Sequence, residues 1–295
     1  MTTHNRSPVF YFGLLLLGIF CASTSFLFIR ESTEPPVMLA AQRLLLTVLI
    51  LQPVFWRDYH KHCSGSLPRL LRDTFWPGVV LALHFISWII GVRMTSAANA
   101  TLIVNLVPLV MPVFMLVMFS ERITGRELFA TALALSAMVI LSANDFHLDA
   151  AHFKGDVICF FSMILFALYL ALGRNSARLP SIWLYMVPLY FIAGLICMGI
   201  ALFYSSPFHV YEPYNLTMIV LLALVPTVAG HTLLNFSMQK FRGQTVSILN
   251  MTQFIFAGIM AYFFYQEVPS AAFYMAAVML AASIFWLSPT HRKSP

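Results

Sequence analysis

The stretch from Ala97 to Glu127, AANATLIVNLVPLVMPVFMLVMFSERITGRE, decides how this chain is read. Its apolar part is long enough to cross the roughly 30 Å hydrocarbon layer of a bilayer as a helix. Within it Thr101, Asn105, Pro108 and Pro112 recur at i, i+4, i+7 and i+11, which places them on one helix face. A proline brings no backbone N–H, so it bends the helix and leaves a carbonyl without its donor. Such a carbonyl can serve a ligand's ammonium or hydroxyl, or be satisfied by a neighbouring helix. Glu121, in the charged turn SERITGRE, reads as a helix-end fixture that caps or pairs the turn.

Composition supports a membrane setting for the whole chain. Charged residues make up 9% and hydrophobic residues 60% of it, against about 25% and about 45–50% in soluble domains. Runs of membrane-spanning length fall at 9–29, 37–55, 75–93, 98–119, 126–143, 155–172, 181–204, 215–235, 244–264 and 270–287. The first run is expected to be a retained span, because Arg30 and Glu31 follow it directly and no small-residue cleavage site does. The cysteines Cys21, Cys63, Cys159 and Cys197 form no CxxC pair, so neither a disulfide framework nor a metal site is expected.

Lys and Arg are retained on the cytoplasmic side of a membrane, which orients the spans. With the N-terminus inside, the inner segments hold Arg6, Arg57, Lys61, Arg69, Arg72, Arg122, Arg126, Arg174, Arg178, Lys240, Arg242, Arg292 and Lys293. The outer ends hold only Arg30, Arg93 and Lys154. The net charge of +6 therefore reflects orientation and gives no reason to expect a nucleic-acid partner.

Ionisable residues deep in lipid are costly and tend to face a cavity. The acidic residues all fall in loops or at span ends. His84 and His231 are the deep titratable groups whose ordinary pKa lies near neutrality. Each has a polar or aromatic companion one turn on, Trp88 and Asn235, on the same face. The two imidazoles are candidates for substrate hydrogen bonding or proton linkage; the plainer alternative is a neutral ring bonded to a neighbouring helix. Ser23, Thr24 and Ser25 end the first span and read as helix-packing hydroxyls. Arg43 lies about two turns inside the second span. It can snorkel outward, pair with Glu31 or Glu34, or attract an anionic substrate group. Ser162, Phe166 and Tyr169 form a stripe most simply read as packing, with Tyr169 kept as a candidate contact, and the ninth span adds Asn250 and Gln253.

The chain also echoes itself. A shift of 146 residues lays Glu121 on Glu267, Thr101 on Ser247, Asn105 on Met251 and Pro108 on Phe254; a shift of 147 lays His84 on His231, and one of 144 lays Arg30 on Arg174. Two blocks of five spans must lie in opposite orientation, the inverted-repeat plan of many secondary transporters. With Phe254 in place of Pro108, the second copy lacks the first copy's reason to bend.

The proline-bearing helix with its SERITG turn, the second-half QEVPS turn, the GD opening and LGR exit of the sixth span, and the run PTVAGHTLLNFSMQ resemble the paired EamA domains of the drug/metabolite transporter superfamily. The resemblance runs from about residue 10 to 288. It implies an all-α membrane protein of ten transmembrane helices, two inverted repeats at 9–143 and 155–288, with both termini cytoplasmic in the cell inner membrane. It also implies a cavity lined mainly by the third, fourth, eighth and ninth helices, helped by the first and sixth.

The function expected is alternating-access movement of a small amphipathic metabolite, an amino acid or a related compound, with export the direction the resemblance suggests. The expected substrate-binding residues are His84, Trp88, Thr101, Asn105, Pro108, Tyr169, His231, Asn235, Asn250 and Gln253. Neither catalytic residues, a metal nor a cofactor is expected. The partners are the solute, the lipid bilayer, and protons or a counter-substrate for coupling. The alternative is a membrane-embedded enzyme acting on lipid or a lipid-linked substrate, for which His60, His62 and Asp58 are the nearest thing to a cluster.

Overall fold

The computed structural model describes residues 7–62, 67–95, 97–145, 152–208, 211–266 and 268–287. Glu267, Cys63, Arg6, Arg292, Lys293 and most of the link 144–154 lie outside that description, as does the side chain of Thr101. Every regular element described is helical: α1 (Pro8–Ser23), α2 (Ser25–Glu31), α3 (Pro36–His62), α4 (Leu67–Met94), α5 (Ala97–Val104), α6 (Val107–Phe119) and α7 (Gly125–Asp145) come first. They are followed by α8 (Phe153–Gly173), α9 (Trp183–Ala201), α10 (Pro213–Leu222), α11 (Thr232–Lys240), α12 (Gly243–Asn250), α13 (Gln253–Tyr265) and α14 (Ala271–Leu287). A 3-10 turn at Arg174–Arg178 extends α8, and a π-helical segment at Ala223–His231 joins α10 to α11.

Eight of the described helices, counting end-to-end pieces as one, are long and apolar enough to cross a membrane. Of the two other expected spans, α14 is apolar but 17 residues long. The remaining one, α7, is 21 residues long with Arg126 and Glu127 in its first turn.

The echo seen in the sequence returns in the backbone. α5 and α12 are both 8 residues long and α6 and α13 both 13, each pair separated by the same 146-residue shift. Positive φ at a non-glycine residue occurs, among the described residues, at Ser120 (52°) and Gln266 (56°), again 146 apart, ending α6 and α13. The two breaks have different causes. At Asn105–Leu106 the chain turns through i→i+3 hydrogen bonds just ahead of Pro108. At Met251–Thr252 there is no proline, yet the same i→i+3 bonds appear. There the Thr252 hydroxyl donates to the Leu249 carbonyl at 2.8 Å, the local competition by which polar side chains interrupt helices. The bend that Phe254 put in question is therefore present, made by threonine.

Packing follows the same symmetry. α3 lies along α9 and α7 along α14, each pairing a helix with its counterpart in the other half, and α6 lies against α12, which brings together the matched pairs α5–α6 and α12–α13. α4 lies along α8, while α1 lies along the π segment and α11, and those two pairings exchange when the halves are exchanged. Close approach of α1 to the π segment depends on Gly230, where an added Cβ would sit 2.8 Å from the Ala22 nitrogen and 3.0 Å from its Cα.

At one end of the bundle Glu121 does what its place in the turn suggests. It pairs with the buried Arg174, accepts from the Gly243 N–H at 3.2 Å, and lies 3.9 Å from Arg242. Arg174 also donates to the Phe241 carbonyl at 2.9 Å. Glu127 closes a capping box with Thr124, accepting from its N–H at 2.8 Å and returning its own N–H to the Thr124 hydroxyl at 3.2 Å. The same carboxylate binds Arg242 at 2.5 and 3.0 Å, raising that guanidinium above its already high ordinary pKa. These contacts tie the α6–α7 turn to the ends of α8, α11 and α12, and so join the two halves.

Because backbone atoms cannot give way at Gly230, Gly230→Ala is expected to cost about 1–3 kcal/mol through overpacking. The check is a lowered midpoint of thermal unfolding in detergent, with Gly13→Ala, where nothing lies within 4 Å, as the control.

Candidate functional site

Where α4, α8 and the π segment meet, they line a small, partly open cavity of about 40 Å³. Its wall includes His84, Phe85 and Trp88 from α4, Phe166 from α8 and His231 from the π segment. Ser23 and Ser25 from the first membrane helix and Gln253 from α13 complete the polar part of the lining. The volume holds a few waters, at roughly 10–15 Å³ for one, so a metabolite requires the helices to part.

His84 is held in one orientation. Its Nδ1 lies 3.0 Å from the Ser162 carbonyl and 2.9 Å from the Ser162 hydroxyl, and that hydroxyl donates to the His84 carbonyl at 3.1 Å. A carbonyl only accepts, so the proton belongs on Nδ1 and leaves Nε2 as an acceptor. Phe166 stacks on the ring at 4.9 Å and 20°. His231 faces it across 6.3 Å between ring centroids, edge-to-face with Phe85 at 4.9 Å. Neither ring nitrogen of His231 makes a hydrogen bond among the described residues, and Nδ1 is buried.

The π segment that presents His231 has a readable origin. Pro226 supplies no N–H to the Leu222 carbonyl one turn back, and the Thr227 hydroxyl donates to that carbonyl instead, at 2.7 Å. The same Thr227 oxygen accepts from Arg43 Nε at 3.0 Å and Nη2 at 2.9 Å. Arg43 Nη1 reaches Ser25 at 3.4 Å, and its guanidinium carbon stands 4.1 Å over the Phe85 ring. This corrects two expectations for Arg43. It does not snorkel, being 0% exposed. Nor does it pair with Glu31 or Glu34, which are engaged by Tyr214 and by Asn215 and Gln42.

The other expected site residues stand behind the wall. Asn235 donates to the Tyr169 hydroxyl at 2.5 Å and to the His231 carbonyl at 2.9 Å, so these two buried side chains brace His231. Asn250 accepts from Gln253 at 2.6 Å. Asn105 is fully buried at the break after α5. The Pro108 carbonyl, which Pro112 deprives of its donor, accepts from the Gln244 amide at 3.0 Å, so protein rather than ligand satisfies it. Gln244 also donates to the Thr131 hydroxyl at 2.7 Å.

Phe85, Thr227 and the role of Ser162 escaped the sequence reading. Phe85 is one of 27 phenylalanines, and only adjacency to His84 distinguishes it. The Pro226-Thr227 pair was a usable signal, because a hydroxyl beside a proline inside a membrane helix can repair the freed carbonyl. Of the proposed enzyme cluster, His60 is exposed and stacks on Trp56 at 5.8 Å. Asp58 is taken by Arg57 at 2.8 Å and by Ser181 at 2.6 Å.

The family model of the EamA-like transporter family matches residues 9–143 and again 153–288. This chain belongs to that family, and it is a multi-pass membrane protein of the drug/metabolite transporter type. Among curated proteins none matches. A crystal structure titled only as that of a protein is similar over 96% of this chain and 97% of its own, with 15% identity and a TM-score of 0.76, which speaks for the fold alone.

Removing the Gln244 donor by Gln244→Leu is expected to orphan the Pro108 carbonyl at a cost of about 1–3 kcal/mol. An unfolding midpoint in detergent equal to that of the wild type would show that the carbonyl finds another donor.

Proposed function

We propose that this chain is a secondary transporter that moves a small amphipathic metabolite, an amino acid or a related compound, across the cell inner membrane by alternating access, in the direction of export. In this reading ten helices form two inverted repeats of five, 9–143 and 155–288, with both termini cytoplasmic. The observation that carries the proposal is the meeting of His84 and His231. They come from matched positions in the two halves and sit 6.3 Å apart on the wall of one cavity. A site shared by two equivalent halves can be uncovered toward either side by rocking one half on the other.

His84, Trp88, His231 and Gln253 are the proposed direct contacts. Tyr169, Asn235, Asn250, Asn105 and Pro108 act through them, holding rings and helix breaks in place, and Thr101 stays a candidate on the same helix as Asn105. The wall suits an amphipathic solute: Phe85, Trp88 and Phe166 take its apolar part, and the imidazoles its polar groups. Protons or a counter-substrate supply the driving force.

Purified protein in liposomes, loaded with a panel of amino acids and related metabolites under a pH gradient or exchange conditions, is expected to show flux of at least one member. His84→Ala and His231→Ala should each lower that flux by about tenfold, the worth of one buried hydrogen bond to a polar ligand. His60→Ala with His62→Ala should change it little. Absence of flux for the whole panel under both conditions would overturn the proposal.

A further inference from the structure

Among the described residues Arg43 and Arg174 are the buried arginines, and Arg43 takes no part in the ion pairs at the bundle end. Its side chain is 0% exposed within α3, and among the described residues it has no carboxylate partner. The contrast is with Arg174 and Arg242, whose charges meet Glu121 and Glu127. Two hydroxyls and a ring face are what Arg43 has: Thr227 at 2.9 and 3.0 Å, Ser25 at 3.4 Å, and Phe85 at 4.1 Å.

An ionised group this deep in a membrane protein is expensive unless its charge is met. A guanidinium has five N–H donors in a planar fork shaped for a carboxylate. Here one Thr227 oxygen is shared by two of them, and the Ser25 contact is long. Ser25 and Phe85 both line the cavity, so the guanidinium stands directly behind the wall. Phe85 has Arg43 over its face and His231 against it at 4.9 Å. Arg43 itself does not line the cavity: Ser25 and Phe85 separate its charge from the space that His84 and His231 border.

We propose that Arg43 is the counter-charge for a carboxylate on the transported solute. This rests on the transport reading above and names the substrate class within it: small carboxylic acids with an apolar body and a second hydrogen-bonding group such as an amine or hydroxyl. The carboxylate displaces the long Ser25 contact and accepts from the Nη1 and Nη2 edge. Thr227 stays in place, because its own proton is committed to the Leu222 carbonyl at 2.7 Å. The second group of the solute meets His84 Nε2 as donor, and the apolar body lies against Phe166 and Trp88.

The test uses the full chain in lipid nanodiscs and in liposomes, with matched probes: apolar amino acids and 2-hydroxy acids, each beside its primary amide. Wild-type protein is expected to bind and move the acids with half-saturation about tenfold or more below that of the amides, as a charge-assisted pair predicts. Arg43→Gln should abolish that preference and Arg43→Lys keep most of it. Thr227→Val, which removes the hydroxyl that occupies two of the guanidinium N–H groups, should widen the preference for acids over amides, read as the ratio of their half-saturations, because its effect through the Leu222 carbonyl falls on both probes alike. Should Arg43→Gln fail to fold, the wild-type acid-to-amide ratio and the Thr227→Val result decide together. Flux with equal treatment of acids and amides, or a preference that survives Arg43→Gln, overturns the role of Arg43 and leaves the transport reading standing. No binding or flux of any probe, acid or amide, overturns this substrate class; whether the transport reading falls with it is decided by the broader metabolite panel.

Discussion

The structure depends on one rule of the membrane interior: each backbone N–H and C=O must find a partner without water. This chain interrupts its helices repeatedly inside the apolar spans, at Asn105–Leu106, at Met251–Thr252 and through the π segment Ala223–His231. Such interruptions, and Pro112 inside α6, free polar groups, and specific side chains answer several of them. Gln244 serves the Pro108 carbonyl, Thr227 the Leu222 carbonyl and Thr252 the Leu249 carbonyl. The first of these crosses from one half of the chain to the other, so repair of the backbone is also what fastens the halves together.

Around these repairs the cavity takes its place. The π turn swings His231 toward α4, Asn235 and Tyr169 brace it, and Ser162 locks His84 opposite. Thr227 has two tasks on one oxygen: it donates to the orphaned carbonyl and accepts from Arg43. A single proline therefore explains both the position of a cavity histidine and the way a buried cation is tolerated nearby. The charged residues divide by depth. Those at the bundle end form ion pairs that clamp helix termini, while Arg43, in the apolar interior, is met by hydroxyls and a ring.

The repeat illustrates how one geometry is reached by two routes. The first half breaks its helix with Pro108, and the second with the hydroxyl of Thr252, yet the flanking helices have equal lengths and end in the same left-handed turn. Identity between the halves is thin because the constraint acts on backbone shape, and more than one residue type can impose it. Phe254 in place of Pro108 put the second break in doubt for that reason, and the break is there all the same.

From the sequence alone, composition and span length determined the membrane setting, because lipid demands long apolar helices and excludes charge from their middles. The SERITGRE turn and the spaced histidines marked the repeat and the two residues around which the cavity closes. Glu121 was legible as a helix-end fixture, since a carboxylate beside a turn at a span end has charged neighbours in reach. Only the tertiary structure decided which polar side chains face the cavity and which support it. Asn235, Tyr169 and Pro108 look as exposed to a ligand as His84 does when judged by helical spacing, but spacing fixes a face and not the neighbour packed on it. Arg43 shows the same limit most clearly. Its sequence neighbours Glu31 and Glu34 were the obvious partners, and packing of the π segment against α3 gave it Thr227, 184 residues away, instead.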